Sequence, residues 1–529
     1  MKRGSSQKKF LNNTGYQFRS MSYLVGTDIG TMGTKTVLVD TDGIIKAHSF
    51  KEYGVLTPVQ GWAEQWPQVW AEATYATIKE AVVKSGVDPR DVSGACISSL
   101  YGGSGIPVDR NYTAIRPCLI WADRRATDEC RWVEKRIGRD ALFEATGNVI
   151  DPYYGYTKML WIREKEPGHW AKIHRFETPN AYIIRQLTGE ENIDYSSAGN
   201  YGGVFDIHSR GWSMEMMEEL GIPRTFFPEK IHSSEEVVGE VTATGARLTG
   251  LAKGTPVCAG GIDAAVSALA GGAILDGDLA SMLGTSMCNG FISHEPRLSP
   301  RMINFPYVVN GRKYLYSFTG VATAGYCVRW FRDTLGTQEM EKERETGEDA
   351  YGQLDKLAEG SPIGSGSLVF MPHMMVGERA PYWDEHIRGG FLGLTTYHTR
   401  AHMFRAVLEG VAYAMRYSIE AAWETGIEIN RATLVDGGAR SPLWRQIIAD
   451  VTGIEMSYIP GSQGAPLGDA MLAGLGSGVI TDHKVIEEWI GEKVAMRPDP
   501  ESSEKYRRYY GLYRQCLEAI KPVYSSMSM

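Results

Sequence analysis

Tyr23-Leu24-Val25-Gly26-Thr27-Asp28-Ile29-Gly30-Thr31-Met32-Gly33-Thr34-Lys35-Thr36-Val37-Leu38-Val39-Asp40 sets two apolar, strand-forming runs on either side of a Gly/Thr turn, the pattern of a β-hairpin. Backbone N–H groups in such a turn form a cradle for phosphate oxygens, and the hydroxyls of Thr31 and Thr34, the open backbone at Gly33 and the charge of Lys35 would complete it. Asp28, just before the turn, supplies the carboxylate that a Mg²⁺ ion needs beside those phosphates. An ordinary hairpin with a surface lysine would carry the same residues. The stretch therefore needs support from elsewhere in the chain.

That support comes half a chain later. Leu279-Ala280-Ser281-Met282-Leu283-Gly284-Thr285-Ser286-Met287-Cys288-Asn289-Gly290-Phe291-Ile292 repeats the grammar of strand, small polar turn and strand, with Gly284, Thr285 and Ser286 at the turn. A duplicated phosphate hairpin implies two similarly folded domains closing on one nucleotide. A third glycine site follows at Ala432-Thr433-Leu434-Val435-Asp436-Gly437-Gly438-Ala439-Arg440-Ser441-Pro442. Here an apolar strand runs into Gly-Gly, Ser441 is placed to cap a helix, and Pro442 to open it. Leu443, Ile447 and Val451 would bury one face of that helix, and Gly453 would stop it. Gly437 and Gly438 leave room for a flat purine or ribose.

Between the two hairpins lies Val257-Cys258-Ala259-Gly260-Gly261-Ile262-Asp263-Ala264-Ala265. A small-residue run leads into one carboxylate, placed at a strand end or in the first turn of a helix. Asp263 is there either a catalytic carboxylate facing a cleft or only the cap of the helix that follows, and the stretch by itself leaves both open. Helices are expected from Pro67 through Val82, from His402 to Thr425 and from Ser503 to Ile520. Strands alternating with helices of these lengths give an α/β fold.

Composition bounds the partners. The net charge of −8 over 529 residues argues against nucleic acid or an anionic membrane as the main partner. The longest apolar run, from Ala264 to Leu275, is too short and too rich in glycine to span a bilayer. Seven cysteines without C-x-x-C spacing fit reduced thiols in a cytoplasmic protein. Residues 1–21 are basic, free of acids and lack an apolar core, which predicts a disordered tail and excludes a secretory signal.

Two further stretches carry a family resemblance. Gly389-Gly390-Phe391-Leu392-Gly393-Leu394, followed after seven residues by His402-Met403-Phe404-Arg405-Ala406-Val407-Leu408-Glu409, resembles the second signature of the FGGY carbohydrate kinases. Tyr153-Tyr154-Gly155-Tyr156-Thr157-Lys158-Met159-Leu160-Trp161 is similar to their first signature, except that Gly155 stands where Pro, Ser or Thr is usual. The resemblance covers about 22–525. It implies two ribonuclease-H-like domains of the hexokinase, actin and Hsp70 type, 22–268 and 269–529, with a nucleotide cleft between them. It also implies that the Asp28 and Gly284 loops bind ATP phosphates, that Gly437-Gly438-Ala439 contacts adenosine, and that Asp263 is the base, with ATP and Mg²⁺ as cofactors. The implied partner is a small sugar or polyol, and a homodimer is the assembly to test. Actin- and Hsp70-like relatives hydrolyse ATP with no such acceptor, and that alternative stays open at this point.

Gly377-Glu378-Arg379-Ala380-Pro381-Tyr382-Trp383 and Asp436 to Ser441 resemble the xylulose and gluconate kinase branch. Trp121-Ala122-Asp123-Arg124-Arg125 is similar to the family's Trp-x-Asp-x-Arg stretch near the sugar, which puts Trp121 and Asp123 at the acceptor, with Tyr153 and Gly103 beside them. Yet xylulokinases carry Gln-Met-His-Gly where this chain has Tyr101-Gly102-Gly103-Ser104, and a polar residue where it has Ala264. Glycerol kinases carry an Arg-Glu pair at Gly102-Gly103. These departures predict a roomier, less polar pocket floor. They leave D-xylulose as the first acceptor, with ribulose, gluconate and erythritol as alternatives.

Overall fold

The computed structural model describes residues 22–482 and 484–527; the tail expected over 1–21 lies outside them. In the first sheet, β1 (Tyr23–Ile29), β2 (Gly33–Asp40) and β3 (Ile45–Glu52) run antiparallel in turn. β4 (Val92–Ser99) lies parallel to β1 on its other side; β5 (Val237–Glu240) pairs antiparallel with β6 (Pro256–Cys258), which lies parallel to β4. The order is β5-β6-β4-β1-β2-β3.

The second sheet repeats this plan. β7 (Asp278–Leu283) takes the place of β1, β8 (Met287–Ser293) and β10 (Leu315–Val321) follow antiparallel, and β9 (Ile303–Pro306) adds an edge. On the other side, β11 (Arg431–Val435) and β12 (Met456–Tyr458) run parallel and β13 (Val494–Met496) antiparallel. Both sheets are therefore the mixed, ribonuclease-H-like arrangement, and both expected hairpins exist.

β1 is buried almost along its whole length because helices cover both faces of its sheet, as parallel pairing requires. α1 (Pro67–Ser85), opened by its proline and closed by Gly86 in the left-handed region, covers β2 and β3. It runs one turn beyond the Val82 expected. The other face is covered from far along the chain. α2 (Asp263–Ala270) leads from the first sheet into the second, α3 (Arg400–Trp423) and α4 (Pro442–Thr452) pack in the second half, and α5 (Ala465–Gly476) returns to lie on β1 and α2. A Cβ on Gly26 would stand 1.9 Å from the Pro466 carbonyl oxygen, and one on Gly468 would stand 2.2 Å from that of Val266. Only glycine permits these approaches. A division at 268/269 thus separates the two sheets but not their covering layers.

The second FGGY signature turns out to be structural. Gly390–Leu392 pairs with Val369–Met371, and Glu409 on α3 is buried. Its carboxylate accepts from Gly364 N at 3.0 Å, Ser365 Oγ at 2.8 Å, Arg405 Nε at 2.9 Å and Tyr506 Oη at 3.1 Å. Tyr506 belongs to α6 (Pro500–Ser526), so the signature ties α3 to the C-terminal helix and a loop. No described helix is long and apolar enough to cross a membrane, and all seven cysteines are free.

Candidate active site

The turn after β1 is braced from behind. Gly30 N donates to Gly33 O at 3.0 Å, and Tyr53 Oη donates to Gly30 O at 2.7 Å. Thr34 is fully buried with its hydroxyl on Tyr53 Oη at 3.1 Å, and a Cβ on Gly33 would strike the Phe50 ring. Neither residue lines the cavity that Asp28 and Thr31 border, and the Thr34 hydroxyl, expected at the phosphates, serves as a brace. Lys35 stands in register with Asp28 across the hairpin and stays exposed. Asp28 and Thr31 do line a cavity, of about 270 Å³. Thr31 Oγ1 also accepts from Trp121 Nε1 at 3.1 Å.

Asp263 enters the same cavity as the first residue of α2. The chain reaches it through Gly260, whose positive φ of 74° and contact with Ile97 O demand glycine. Ser99 N then donates to Gly261 O at 3.0 Å, and Ile262 N to Ser196 Oγ at 3.0 Å, which fixes the approach. Asp263 Oδ1 accepts from Ala264 N at 2.7 Å, so the carboxylate is held within its own first turn. It does not serve as the helix N-cap, a position taken by Ile262. Burial pushes its pKa up to about 6 against the pull of Ala264 N–H and Arg379. Burial and the neighbouring Asp263 carboxylate likewise hold Asp28 well above the ordinary range, opposed by Lys35 and the Ser98 hydroxyl.

Asp28 Oδ1 is buried without a hydrogen-bond partner, a natural seat for a cation. No cluster of three or more ligating side chains exists among the described residues. The donor set therefore fits a Mg²⁺ held by one or two carboxylates and by substrate phosphates, and does not fit an all-protein cage.

The second turn links two spaces. Gly284 and Ser286 line the cavity with Asp28 and Asp263, while Gly284 and Thr285 line an adjoining groove of about 680 Å³. The turn docks on the helix that starts at Gly325, with Gly325 N donating to Gly284 O and Tyr326 N to Thr285 O. Gly437, Gly438 and Ser441 line the groove with Tyr326, Tyr351 and Asp355, whereas Ala439 is buried behind it. Ser441 caps α4 by accepting from Trp444 N at 3.0 Å, and Gly453 ends it, both as expected. The two glycines differ. A Cβ on Gly437 meets nothing within 4 Å; one on Gly438 would lie 2.8 Å from Leu283 O and 2.9 Å from the Trp444 ring. Both border the groove, but only Gly437 has open space before it, and Gly438 also serves close packing.

The acceptor side departs most from expectation. Trp121 and Tyr153 line the cavity, but Asp123 and Gly103 do not. Asp123 is fully buried, its carboxylate taken by Ala63 N at 2.7 Å and by the Arg125 guanidinium, which stacks on Trp62. Gly102 and Gly103 leave no extra room: a Cβ on Gly102 would meet Pro179 at 2.6 Å, and one on Gly103 would meet Leu119 O at 2.1 Å. Of the three small residues thought to widen the floor, only Ala264 faces the cavity. Protein fills the space behind the other two. Tyr101, at the position where xylulokinases begin their Gln-Met-His, lines the cavity with its ring 5.0 Å from that of Tyr153. Its hydroxyl accepts from Gly155 N, and a Cβ on Gly155 would lie 2.3 Å from Gly103 O. The two departures from the family pattern, at 101–103 and at 155, are one packing solution.

Arg379, Asp436 and Phe318 also line the cavity, and none of them is among the site residues expected from the sequence. Two had visible signals. Arg379 sits in the branch-like Gly377-to-Trp383 stretch. Asp436 precedes the glycine pair and takes φ 75°, ψ −177°, a strained conformation for a non-glycine residue that typically persists where function requires it.

Comparison with known proteins matches this geometry across both halves. Residues 23–270 match the N-terminal domain model of the FGGY family of carbohydrate kinases, and 279–477 match its C-terminal domain model. A Bacillus subtilis xylulose kinase is 30% identical over 512 residues, covering 96% of this chain and 99% of that protein. A gluconokinase of the same organism is 28% identical over 509 residues, covering 96% and 98%. The crystal structure of a xylulose kinase from Rhodospirillum rubrum superimposes with a TM-score of 0.84 at 29% identity, over 95% of this chain and all of that one. With both domain models matched over the stretches that build the two turns, Asp263 and the glycine groove, the chain belongs to the FGGY family of carbohydrate kinases, as an ATP-dependent phosphotransferase of the xylulose and gluconate kinase branch.

Proposed function

We propose that this kinase transfers the γ-phosphoryl group of ATP to a hydroxyl of a ketose, with D-xylulose the first acceptor to test. The observation that carries the reading is the position of Asp263, in one cavity with Asp28 and Thr31 of the first turn and Gly284 and Ser286 of the second. A sugar hydroxyl is a poor nucleophile. A carboxylate that takes its proton contributes ~10²–10⁴-fold, and a pKa lifted towards neutrality makes Asp263 a better proton acceptor than an ordinary aspartate. Mg²⁺, when bound at Asp28 and the phosphates, supplies charge neutralisation at the transferring group. Backbone N–H groups of the two turns would hold the phosphates in line, and the groove beside Gly437 would take adenosine. Closure of the two sheets' halves on both substrates would exclude water as a competing acceptor.

Trp121, Tyr153 and Tyr101 give the acceptor cavity aromatic walls, and Gln-Met-His contacts are missing. A buried polar contact contributes about 0.5–1.5 kcal/mol net, so losing several lowers kcat/KM for xylulose by ~10- to 1000-fold unless other residues compensate. The test is a kcat/KM panel of xylulose, ribulose, gluconate, erythritol and glycerol with a coupled ADP readout. A ketose is expected to lead. Glycerol leading by a wide margin would overturn the reading of this pocket.

A further inference from the structure

Arg379 is the one cation among the residues lining the acceptor cavity, which also holds the carboxylates of Asp28, Asp263 and Asp436. Its guanidinium makes no ion pair and no side-chain hydrogen bond with any described residue. Rings hold it instead: Trp121 at 4.5 Å, Phe318 at 5.6 Å and Tyr153 at 5.7 Å from the guanidinium carbon. The backbone beneath it is clamped. Glu378, buried, accepts from Ala322 N at 3.0 Å and sits 3.1 Å from His373 Nδ1. The Arg379 carbonyl accepts from Tyr382 N and Trp383 N, and Gly320 N donates to Ala380 O.

Stacking engages the face of a guanidinium and leaves its edge, a planar fork of N–H donors matched to carboxylate and phosphate oxygens, unused. Asp263 feels this charge across the cavity, yet no carboxylate hydrogen-bonds the guanidinium, and a partly desolvated donor edge left unsatisfied is costly to the fold. Two buried arginines of this same protein are ion-paired, Arg125 with Asp123 and Arg405 with Glu409. We propose that Arg379 is an anion receptor in the acceptor cavity, taking the oxygens of a carboxylate on the sugar or of the phosphoryl group in transit. The inference rests on this cavity being the acceptor site. The two sources share one chemistry and differ in timing. A sugar carboxylate is present in the ground state, so it affects KM for acidic acceptors alone. The phosphoryl group affects kcat for every acceptor.

The test titrates the wild type, Arg379→Gln and Arg379→Lys, each saturated with ADP, with D-gluconate and with inorganic phosphate by calorimetry. Kinetics on xylulose and gluconate accompany the titrations. At least one anion is expected to bind the wild type and to bind Arg379→Gln at least ~10-fold more weakly, with Arg379→Lys between them. Loss confined to gluconate, with its KM raised, assigns a sugar carboxylate. Loss of phosphate binding, with kcat lowered on both acceptors, assigns the phosphoryl group. Should Arg379→Gln fail to fold, Arg379→Lys decides, because it keeps the charge and loses the fork. Neither anion binding the wild type, or both binding a folded variant equally, overturns the inference even if sugars are turned over normally. Anion binding through Arg379 in an enzyme that phosphorylates no sugar would instead overturn the acceptor reading.

Discussion

Asp263→Asn should inactivate the enzyme and stabilise the fold at the same time. The carboxyl's pKa rises from 3.8 to about 6 on folding, chiefly by burial. Over roughly two pH units, at ~1.4 kcal/mol each, the ionised group costs the folded state at most ~3 kcal/mol, and cavity solvent reduces this to about 1–3 kcal/mol. The sign follows from linkage. The folded pKa lies above the unfolded one, so the penalty is full above pH ~7, shrinks as pH falls through ~6, and is gone below pH ~4, where both states hold the proton. Asparagine carries no charge and keeps an oxygen able to accept from Ala264 N, so it removes the penalty without opening a void. The assay pairs kcat with thermal unfolding of nucleotide-free, Mg²⁺-free protein at pH 8 and pH 5. Turnover should fall at least ~10²-fold, and Tm should rise at pH 8 with a smaller gain at pH 5. Near-normal turnover would refute the base assignment. Inactivation with a lowered Tm at pH 8 would refute the reasoning differently, by making Asp263 a structural residue.

In the wild type, kcat/KM should fall as pH drops through an acid limb above the range of ordinary carboxylates, because protonation of Asp263 removes the base, and Arg379→Gln should move that limb further up by removing a cation that lowers this pKa. A pH profile of both proteins reads this, and a limb at the pKa of an exposed aspartate in both counts against it. Gly437→Val should raise KM for ATP far more than KM for sugar, since its side chain enters the groove, whereas Gly438→Val should lower Tm by colliding with Leu283 and Trp444. Unchanged ATP affinity in folded Gly437→Val would move adenosine elsewhere. Asp28→Asn should raise the Mg²⁺ concentration needed for half-maximal activity, because it removes the carboxylate whose buried oxygen has no protein partner. A normal Mg²⁺ titration would refute the cation role of the unpartnered Asp28 oxygen.

Repetition and periodicity carried much of this protein in one dimension. The two hairpins at Asp28 and Gly284, the cap and stop of the helix from Pro442 to Gly453, and the single carboxylate at Asp263 between the turns are local patterns, and local backbone preferences suffice to form them. The α/β class and the duplicated sheet plan follow from such patterns placed in order. What faces what was decided by tertiary packing. Thr34 and Thr31 sit in the same turn, yet Tyr53 claims one hydroxyl while the other borders the cavity. Gly437 and Gly438 both border the groove, yet only Gly437 has room for a side chain, because Leu283 from a strand some 150 residues away fills the space at the other. Asp123 looked like a ligand until Ala63 and Arg125 took both its oxygens. Gly102 and Gly103 looked like lost contacts and Gly155 like a departure from a signature, and all three are places where Pro179, the Leu119 carbonyl and the Gly103 backbone press close. Arg379 has a free guanidinium edge only because its acidic neighbour Glu378 is turned inward onto Ala322 and His373. A sequence states which groups are present; which of them remain unsatisfied, and so available to a substrate, depends on partners brought from distant parts of the chain.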